Sequence, residues 1–349
     1  MRITELETGG SHELLLACED EGAGYRGVVA VHSTSLGPAV GGARFLGYAS
    51  AGEAVADALR LSRGMTYKNA LAGLPLGGGK SVIIGDNRAR DREAIFRAHG
   101  RFVESLGGRY ITAEDVGTSP SDMEIVRRET RHVAGLLDKS GDPSPVTARG
   151  VLRAIEASAR FRWGSDDLAG RRVAVQGLGH VGYHLARELR AAGARLVVTD
   201  TDEGRVRRVV AECGAEWVAP AEIYSVGADV FAPCALGGVL NDETIPRLRV
   251  EVVAGAANNQ LLEARHGDAL GARGILYAPD YVANAGGVIN GCVELLGWRP
   301  EEARRKVEEI YDTLLNVFRV AQAWAVAPHV AADRLAEERL GAAQGRRRK

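Results

Sequence analysis

A glycine-rich loop between a predicted strand and a predicted helix constrains the fold of this chain more than any other feature. The loop, GLGHVG, contains Gly177, Gly179 and Gly182. The short apolar run Val173 to Gln176 before it is typical of a buried strand, and Val181 to Ala192 after it has the spacing of an amphipathic helix. A strand, a G-x-G-x-x-G loop and a helix in this order predict the first half of a dinucleotide-binding βαβ unit.

An acidic residue completes this fingerprint. The next predicted strand, Leu196 to Thr199, ends in Asp200, eighteen residues after the last loop glycine. The glycines would admit a pyrophosphate to the helix N-terminus, and Asp200 can accept a hydrogen bond from a ribose 2′-hydroxyl while repelling a 2′-phosphate. The less favoured alternative is a tight turn beside a fortuitous acid. We expect NAD rather than NADP, in contact with Gly177, Gly179, His180, Val181, Gly182, Asp200 and Thr201.

Three later segments each end an apolar strand in small or amide residues: ADVFAPCALGG, VEVVAGAANNQL and ILYAPDYVANAGGVIN. A doubly wound sheet builds its ligand crevice beyond such strand ends, so these segments predict a Rossmann-type domain. Cys234 has no partner of a nucleophile motif beside it and is interpreted as a buried structural cysteine. From Glu301 onward, apolar residues at helical spacing predict one long amphipathic helix.

The N-terminal part contains a lysine in an unusual setting. Lys80 directly follows the glycines Gly77 to Gly79, and the β-branched run Ser81 to Ile84 after it predicts a buried strand. Burial would lower the pKa of this lysine and make it usable as a base. A phosphate-binding P-loop is excluded because Leu74 stands where its first glycine is required. Since Lys68 lies twelve residues upstream, two lysines near one glycine-rich turn indicate a site for a small anionic substrate.

Two further features surround these lysines. A predicted strand ends in Glu114 and Asp115, where α/β proteins place reactive groups, although a helix cap or a solvated turn would explain the pair as well. The segment SLGPAVGGARFLGY is expected to be a pocket-lining loop. Lys68 is expected at or just past the end of a helix capped by Ser50, where it could also serve only the helix dipole.

Length and composition indicate a two-domain α/β protein. We expect residues 1–140 to form an α/β domain for substrate binding, catalysis and oligomerisation, and residues 141–324 to form the Rossmann-type domain across a cleft. The boundary is placed in the proline- and glycine-rich segment Lys139 to Gly150, and residues 325–349 are expected to return to the first domain. The terminal RRRK is interpreted as a frayed, solvated tail.

Charge and cysteine usage exclude several classes of protein. A net charge of −1 argues against a broad nucleic-acid or anionic-membrane surface. No segment approaches the ~18 consecutive apolar residues of a membrane span, and the N-terminus lacks a signal-peptide pattern. Four cysteines without C-x-x-C spacing argue against a zinc site or a disulfide framework and predict a cytoplasmic protein without a metal.

These motifs together resemble the amino-acid dehydrogenases of the glutamate, leucine, phenylalanine and valine group. The resemblance runs from LGPAVGGAR to VAADRLAEERL, and it is most specific in GMTYKNALAGLPLGGGKSVIIGD, GRYITAEDVGT, AVQGLGHVGYHL and YAPDYVANAGGVIN. The sequences of these segments look closest to the leucine branch. It implies reversible NAD-dependent oxidative deamination of an L-amino acid to a 2-oxo acid and ammonia. It also implies a homo-oligomer, either an octamer or a dimer.

The resemblance further implies roles for individual residues. Lys68 binds the substrate α-carboxylate, Lys80 activates the attacking water, and Asp115 exchanges protons with the amino group. Other implied substrate contacts are Val40, Gly41, Gly42, Met65, Ala113, Asn259, Val288 and Gly291. Implied cofactor contacts outside the glycine loop are Thr147, Cys234, Ala235, Ala256, Asn258 and Asn284.

Two positions bear on the choice of substrate. The glutamate branch has a lysine where this chain has Val40 and a small hydroxyl residue where it has Gly291, so a γ-carboxylate would be left unpaired here. Both residues are also smaller than those of the leucine branch, which leaves room for phenylalanine or a broad range of substrates as the second expectation.

Two functions are less favoured: a 2-hydroxy-acid dehydrogenase, which would normally need a catalytic histidine and an arginine clamp, and an inactive NAD-binding regulator.

Overall fold

The computed structural model describes residues 1–88, 91–136 and 141–347. The chain divides into two compact units. The first comprises Met1–Gly141, Gly291–Trp298 and Ala336–Lys349, and the second comprises Asp142–Asn290 and Arg299–Leu335. Each unit contains its own six-stranded sheet.

The units differ in two places from the division expected from the sequence, whose boundary residues Lys139 and Ser140 lie outside the described residues. The segment Gly291–Trp298 belongs to the first unit, where Glu294 accepts a hydrogen bond of 2.9 Å from the Gly135 N–H. The return to the first unit begins at Ala336 and not at residue 325, because Asp333 is still bonded to Tyr281 of the second unit at 2.6 Å. The roles assigned to the two domains stay predictions.

The first unit is a three-layer α/β structure. Its elements are β1 (Arg2–Glu5), β2 (Leu14–Asp20), β3 (Tyr25–Ser33), β4 (Ala39–Leu46), α1 (Ala51–Leu71), β5 (Gly77–Ile84), α2 (Arg92–Glu104), β6 (Tyr110–Glu114) and α3 (Pro120–Arg127). The sheet order is β1-β2-β3-β5-β4-β6, with β4 parallel to both β5 and β6. Alternating side chains bury Val28 and Val82 with α1 on one face, and Val29 and Ile83 with α2 on the other.

Two predictions for this unit were wrong. The expected loop SLGPAVGGARFLGY contains the central strand β4, and the glycines before Lys80 belong to β5 and not to a turn. Close packing explains both, because a Cβ on Gly42 would lie 2.3 Å from the Glu114 carbonyl oxygen and one on Gly78 would lie 2.1 Å from the Thr66 nitrogen. Glycine is present at these positions to let neighbouring backbones approach, and its abundance does not mark a loop here.

The second unit confirms the predicted doubly wound sheet. Its strands are β7 (Arg172–Gln176), β8 (Arg195–Thr199), β9 (Glu216–Trp217), β10 (Val230–Pro233), β11 (Val252–Val253) and β12 (Leu276–Tyr277), in the order β12-β11-β10-β7-β8-β9. All the paired strands are parallel. Its helices before β12 are α4 (Ser144–Trp163), α5 (His180–Ala191), α6 (Glu203–Cys213) and α7 (Arg265–Ala272).

The C-terminal part of the chain is helical almost throughout. The helices are α8 (Asp280–Ala283), α9 (Gly286–Leu295), α10 (Pro300–Glu308), α11 (Ile310–Trp324) and α12 (Pro328–Arg347). The single helix expected from Glu301 is divided in two at Glu309, whose N–H bonds to the Lys306 carbonyl in a tighter turn. The expected frayed tail is helical as far as Arg347, and its last two residues lie outside the described range. None of the helices in the described ranges is long and apolar enough to cross a membrane.

Candidate active site

The side chain of Lys80 is directed toward α1 by the alternation of β5. Gly78 and Lys80 share one face of the strand, and Gly78 packs directly on the backbone of Thr66 in α1. Lys80 is only 5% exposed, and its Nζ lies 2.9 Å from Oδ2 of Asp115, the residue that follows β6. The structure therefore brings together the two residues predicted as catalytic.

Burial and pairing act in opposite directions on the two charges. Burial lowers the pKa of Lys80, and the ion pair with Asp115 offsets this only in part. Burial alone would raise the pKa of Asp115, but the charges of Lys80 and Arg44 outweigh it and lower this pKa to about 2. Lys80 is thus the group that loses its proton more readily than an ordinary lysine, while Asp115 is held ionised.

Sequence reasoning missed a third charge in this site. Arg44 on β4 donates from Nε to Asp115 Oδ2 at 2.9 Å and from a terminal nitrogen to Asp57 Oδ2 at 3.0 Å. Asp57, on α1, also accepts from the Tyr48 hydroxyl at 2.8 Å. Arg44 lies in the segment that the sequence analysis assigned as a loop, so its position on a strand beside β6 was not predicted.

The other predicted substrate residues of the first unit lie on the helices and strands around Lys80 and Asp115 or on α9. Lys68 is half-buried in the last turn of α1, two residues after Thr66. The remainder are placed on α1, β4, β6 and α9: Met65, Val40, Gly41, Gly42, Ala113 and Gly291. A Cβ added to Gly291 would meet only the Leu295 side chain, at 3.8 Å, whereas one on Gly41 would collide with the Gly79 carbonyl oxygen at 1.8 Å. Space for a larger side chain therefore exists at Gly291 but not at Gly41.

In the second unit the glycine loop lies between β7 and α5, in the predicted order of strand, loop and helix. Gly177 has a φ of 94°, which favours glycine, and a Cβ on Gly182 would lie 1.9 Å from the Gly177 carbonyl oxygen. Gly179 caps α5 with an extended backbone, and α5 begins with His180 and Val181. The helix N-terminus therefore stays open to an anionic group.

Asp200 is bonded to the loop itself. Its Oδ2 accepts a hydrogen bond of 2.6 Å from the Leu178 N–H, and its Oδ1 accepts one of 2.8 Å from the Asp202 N–H. Arg205 of α6 lies 3.9 Å from the same Oδ2. Asp200 thus fixes the loop as well as carrying the charge expected to face a ribose, and Thr201 beside it is exposed.

Asn284, which follows α8 and bonds to the loop after β11, has unused hydrogen-bonding capacity. Asn284 donates to Asn258 Oδ1 at 2.9 Å and to the Ala256 carbonyl at 3.1 Å, while its own Oδ1 is buried without a hydrogen-bond partner in the described part of the chain. Thr147 is 9% exposed and donates to the Pro143 carbonyl at 2.9 Å. A buried, unpaired amide oxygen fits the carboxamide NH₂ of a nicotinamide, as the glycine loop fits a pyrophosphate.

The remaining predicted residues lie in the loops after β10 and β11 or on α9. Asn259 has a φ of 52°, and its carbonyl accepts from Gly238 of the neighbouring loop at 2.8 Å. Ala235 is exposed in that loop, and Val288 lies on α9 within the second unit. Burial raises the pKa of Cys234 to about 12, so its thiol stays protonated and is no nucleophile.

A parallel sheet with a dinucleotide loop in one unit and a buried lysine–aspartate pair in the other define a nicotinamide-dependent dehydrogenase. Comparison with known proteins identifies the family. The model described as Glu/Leu/Phe/Val dehydrogenase, dimerisation domain, matches residues 14–132, and the model described as Glutamate/Leucine/Phenylalanine/Valine dehydrogenase matches residues 199–348.

Individual relatives agree with these matches. A leucine dehydrogenase of Thermoactinomyces intermedius is 55% identical over 97% of this chain and 94% of its own length. The crystal structure of L-tryptophan dehydrogenase from Nostoc punctiforme superposes with a TM-score of 0.85 at 45% identity, covering 96% of this chain and 97% of that one. A hetero-hexameric glutamate dehydrogenase from Thermus thermophilus gives a TM-score of 0.76 at 25% identity, over 98% and 88% of the two chains. The chain belongs to the Glu/Leu/Phe/Val dehydrogenase family, whose members use a nicotinamide cofactor.

Proposed function

We propose that this protein catalyses the reversible oxidative deamination of L-leucine and other branched-chain L-amino acids with NAD, giving the 2-oxo acid, ammonia and NADH. The observation that carries the proposal is the buried Lys80–Asp115 pair, with a lysine whose pKa is lowered. The 55% identity to a leucine dehydrogenase supports leucine as the substrate, and Asp200 supports NAD over NADP.

The proposed chemistry divides the work among three residues. Lys68 binds the α-carboxylate of the substrate as a point charge. A bound nicotinamide ring would supply the hydride acceptor for Cα. Asp115 takes a proton from the substrate ammonium group, so that an iminium group is left on the substrate when the hydride departs. Lys80 then takes a proton from the water that attacks this carbon, and Asp115 returns a proton to the nitrogen that departs as ammonia.

The proposed cofactor contacts belong to the second unit. The glycine loop holds the pyrophosphate, Asp200 and Thr201 hold the adenosine ribose, and Thr147 and Asn284 hold the carboxamide. The orphaned Oδ1 of Asn284 supports the last assignment. Ala235, Ala256 and Asn258 are proposed to line the same crevice.

A second candidate substrate class is aromatic. The absence of a side chain at Gly291, where a Cβ would fit without collision, and the 45% identity to an L-tryptophan dehydrogenase favour phenylalanine or tryptophan, or a broad specificity. The reaction and the catalytic residues would be the same in this case.

A substrate panel tests the proposal. NADH formation is measured with L-leucine, L-valine, L-isoleucine, L-phenylalanine, L-tryptophan and L-glutamate, with both NAD and NADP. We expect the highest kcat/KM for a branched aliphatic substrate with NAD, and a loss of ~10²–10⁴-fold in Lys80→Ala. Lys306→Ala, on α10 of the second unit, where its Nζ pairs with Glu309 at 2.7 Å, is the matched control and should retain activity. Turnover of glutamate alone, or full activity without Lys80, would contradict the proposal.

We also propose that the protein assembles as a homo-oligomer and acts in the cytoplasm. The dimerisation-domain match over residues 14–132 supports assembly, and so does the edge strand β1, all four residues of which are exposed. Light scattering coupled to size-exclusion chromatography tests it, and a mass near the 37.1 kDa of one chain would contradict it.

A further inference from the structure

The carboxylate of Asp115 is held asymmetrically. Lys80 Nζ and Arg44 Nε both contact the same oxygen, Oδ2, each at 2.9 Å. Within the described ranges no side chain or backbone N–H donates to Oδ1, while the Asp115 side chain keeps 19% of its surface exposed. One oxygen is therefore saturated by two cations and the other is left for a ligand.

The second cation is itself held in place. Arg44 is 15% exposed in its side chain, and its guanidinium spans from Asp115 to Asp57 on α1. Asp57 in turn accepts from Tyr48 at 2.8 Å and from Arg60 at 2.7 Å. A planar guanidinium with donors to two carboxylates has little rotational freedom, so this arrangement fixes the orientation of Asp115.

We propose that Arg44 is a positioning residue of the reaction, which holds Asp115 by Oδ2 and so leaves Oδ1 as the oxygen that exchanges a proton with the substrate amino group. This inference rests on the proposed function. The proton moves from the substrate nitrogen to Oδ1 and returns to the nitrogen of the departing ammonia, so Asp115 is unchanged after one turnover. Asp57 and Tyr48 support the reaction through Arg44.

The charges around Lys80 give a test based on direction. Three charged residues act on Lys80: Asp115 at the end of β6, Arg44 on β4 and Asp57 on α1. Arg60 and Tyr48 contact Asp57. The cation Arg44 lowers the pKa of Lys80 and the anion Asp57 raises it. Arg44→Gln should therefore raise the pKa of Lys80, and Asp57→Asn should lower it, each by ~1 unit.

The chain contains only five lysines, which makes a direct titration of Lys80 practicable. Protein labelled with ¹³C at the lysine Cε is titrated by NMR, and Lys80→Arg identifies the signal of Lys80. Arg92→Gln is the matched control, because Arg92 forms an ion pair of 2.7 Å with the buried Asp122 in the same unit without contacting Lys80. Its pKa effect on Lys80 should be below ~0.2 unit.

Kinetics provide the second readout. We expect Arg44→Gln to lower kcat by ~10–100-fold with little change in KM, since Lys68 is untouched, and to move the pH profile of kcat/KM to higher pH. Arg44→Lys restores the charge without the fork, so its profile should return toward that of the wild type while kcat stays reduced.

Three results would overturn the inference: an unchanged titration of Lys80 in Arg44→Gln, a shift of the same sign in Arg44→Gln and Asp57→Asn, or an equal shift in Arg92→Gln. If Arg44→Gln does not fold, Asp57→Asn and Arg44→Lys still test the sign of the shift and the loss of kcat. The titration needs no turnover, so an absence of amino-acid oxidation in the wild type would refute the proposed function separately.

Discussion

At the scale of single residues, the protonation states of Lys80 and Asp115 are coupled. Asp115 is held ionised by two cations, so it is a poor proton acceptor while Lys80 is charged. When Lys80 loses its proton, one of the two cations disappears and the pKa of Asp115 rises. Proton transfer from the substrate nitrogen to Asp115 is thereby tied to the state in which Lys80 can act as a base.

Gly291 offers a residue-scale prediction about specificity. A Cβ added at this position would meet only Leu295, at 3.8 Å, so we expect Gly291→Val to fold and to narrow the proposed pocket. We expect kcat/KM for L-phenylalanine to fall ~10-fold more than that for L-leucine, because such differences in pocket volume are worth about 1–3 kcal/mol. Gly341→Val, at an open position on α12, is the control and should change neither value. Equal losses of kcat/KM for the two substrates would show that Gly291 does not line the substrate pocket.

Asp200 and Arg205 give a prediction about the cofactor. Asp200→Asn removes the charge that repels a 2′-phosphate, and Arg205, 3.9 Å away, is left to pair with that phosphate. Fluorescence titration should show the ratio of Kd values, NADPH to NADH, falling by at least ~10-fold. Asp200→Asn combined with Arg205→Gln should lose the gain in NADPH affinity. A gain that persists in the double variant would exclude Arg205 from the site.

The residues that sequence analysis found and missed differ in how local their signals are. Lys80, Asp115 and the glycine loop lie beside short motifs, so each could be identified from a window of about ten residues. Arg44 pairs with a residue 71 positions away, and that contact exists only because β4 and β6 are neighbours in the sheet. A single sequence does not show which strands are adjacent, so the partner of Asp115 could not be named.

At the scale of elements, glycine-rich segments were the main source of error. Runs such as AVGGAR and LGGGK have the composition of loops, yet they form β4 and β5 in the centre of the first sheet. Strands with apolar side chains, including β7 and β8, were predicted correctly because their apolar side chains themselves indicate burial. In β5 it is the glycines, which lack side chains, that allow α1 to pack closely. Composition alone does not distinguish such a glycine run from a turn.

The contact between α1 and β5 leads to a prediction about stability. Gly78→Ala would place a Cβ 2.1 Å from the backbone nitrogen of Thr66, so α1 must shift, and we expect a loss of at least about 1–3 kcal/mol in the free energy of unfolding. Gly64→Ala, on α1 itself, has open space around it and should stabilise the protein by about 0.5–1 kcal/mol.

Denaturant unfolding of the two variants beside the wild type measures both effects. Because Lys80 lies two residues from Gly78 on the same strand face, Gly78→Ala should also lose activity, whereas Gly64→Ala should retain it. A Gly78→Ala variant as stable as the wild type would show that α1 does not pack on β5 as described.

At the scale of the whole molecule, the resistance of the fold to acid should depend on buried histidines. His99 is completely buried, with its Nδ1 2.9 Å from the Tyr25 hydroxyl and its Nε2 3.2 Å from the Thr112 hydroxyl. Burial lowers its pKa to about 3. His32 has its pKa lowered to about 4, chiefly by burial and then by His12, and contributes in the same direction.

The sign of the effect follows from proton binding. Between pH 6.5 and about 3 the unfolded chain binds a proton at His99 that the folded chain does not, so the free energy of unfolding should fall by up to ~1.4 kcal/mol for each pH unit below 6.5. Asp115, whose folded pKa is about 2, adds a further loss only below its unfolded pKa of 3.8. Chemical denaturation at a series of pH values measures the slope, and His99→Gln, although less stable at pH 7, should show a flatter dependence between pH 6.5 and 4. Equal slopes in the wild type and the variant would mean that other groups control the acid stability of this fold, since the variant removes the one fully buried imidazole that bridges Tyr25 of β3 and Thr112 of β6.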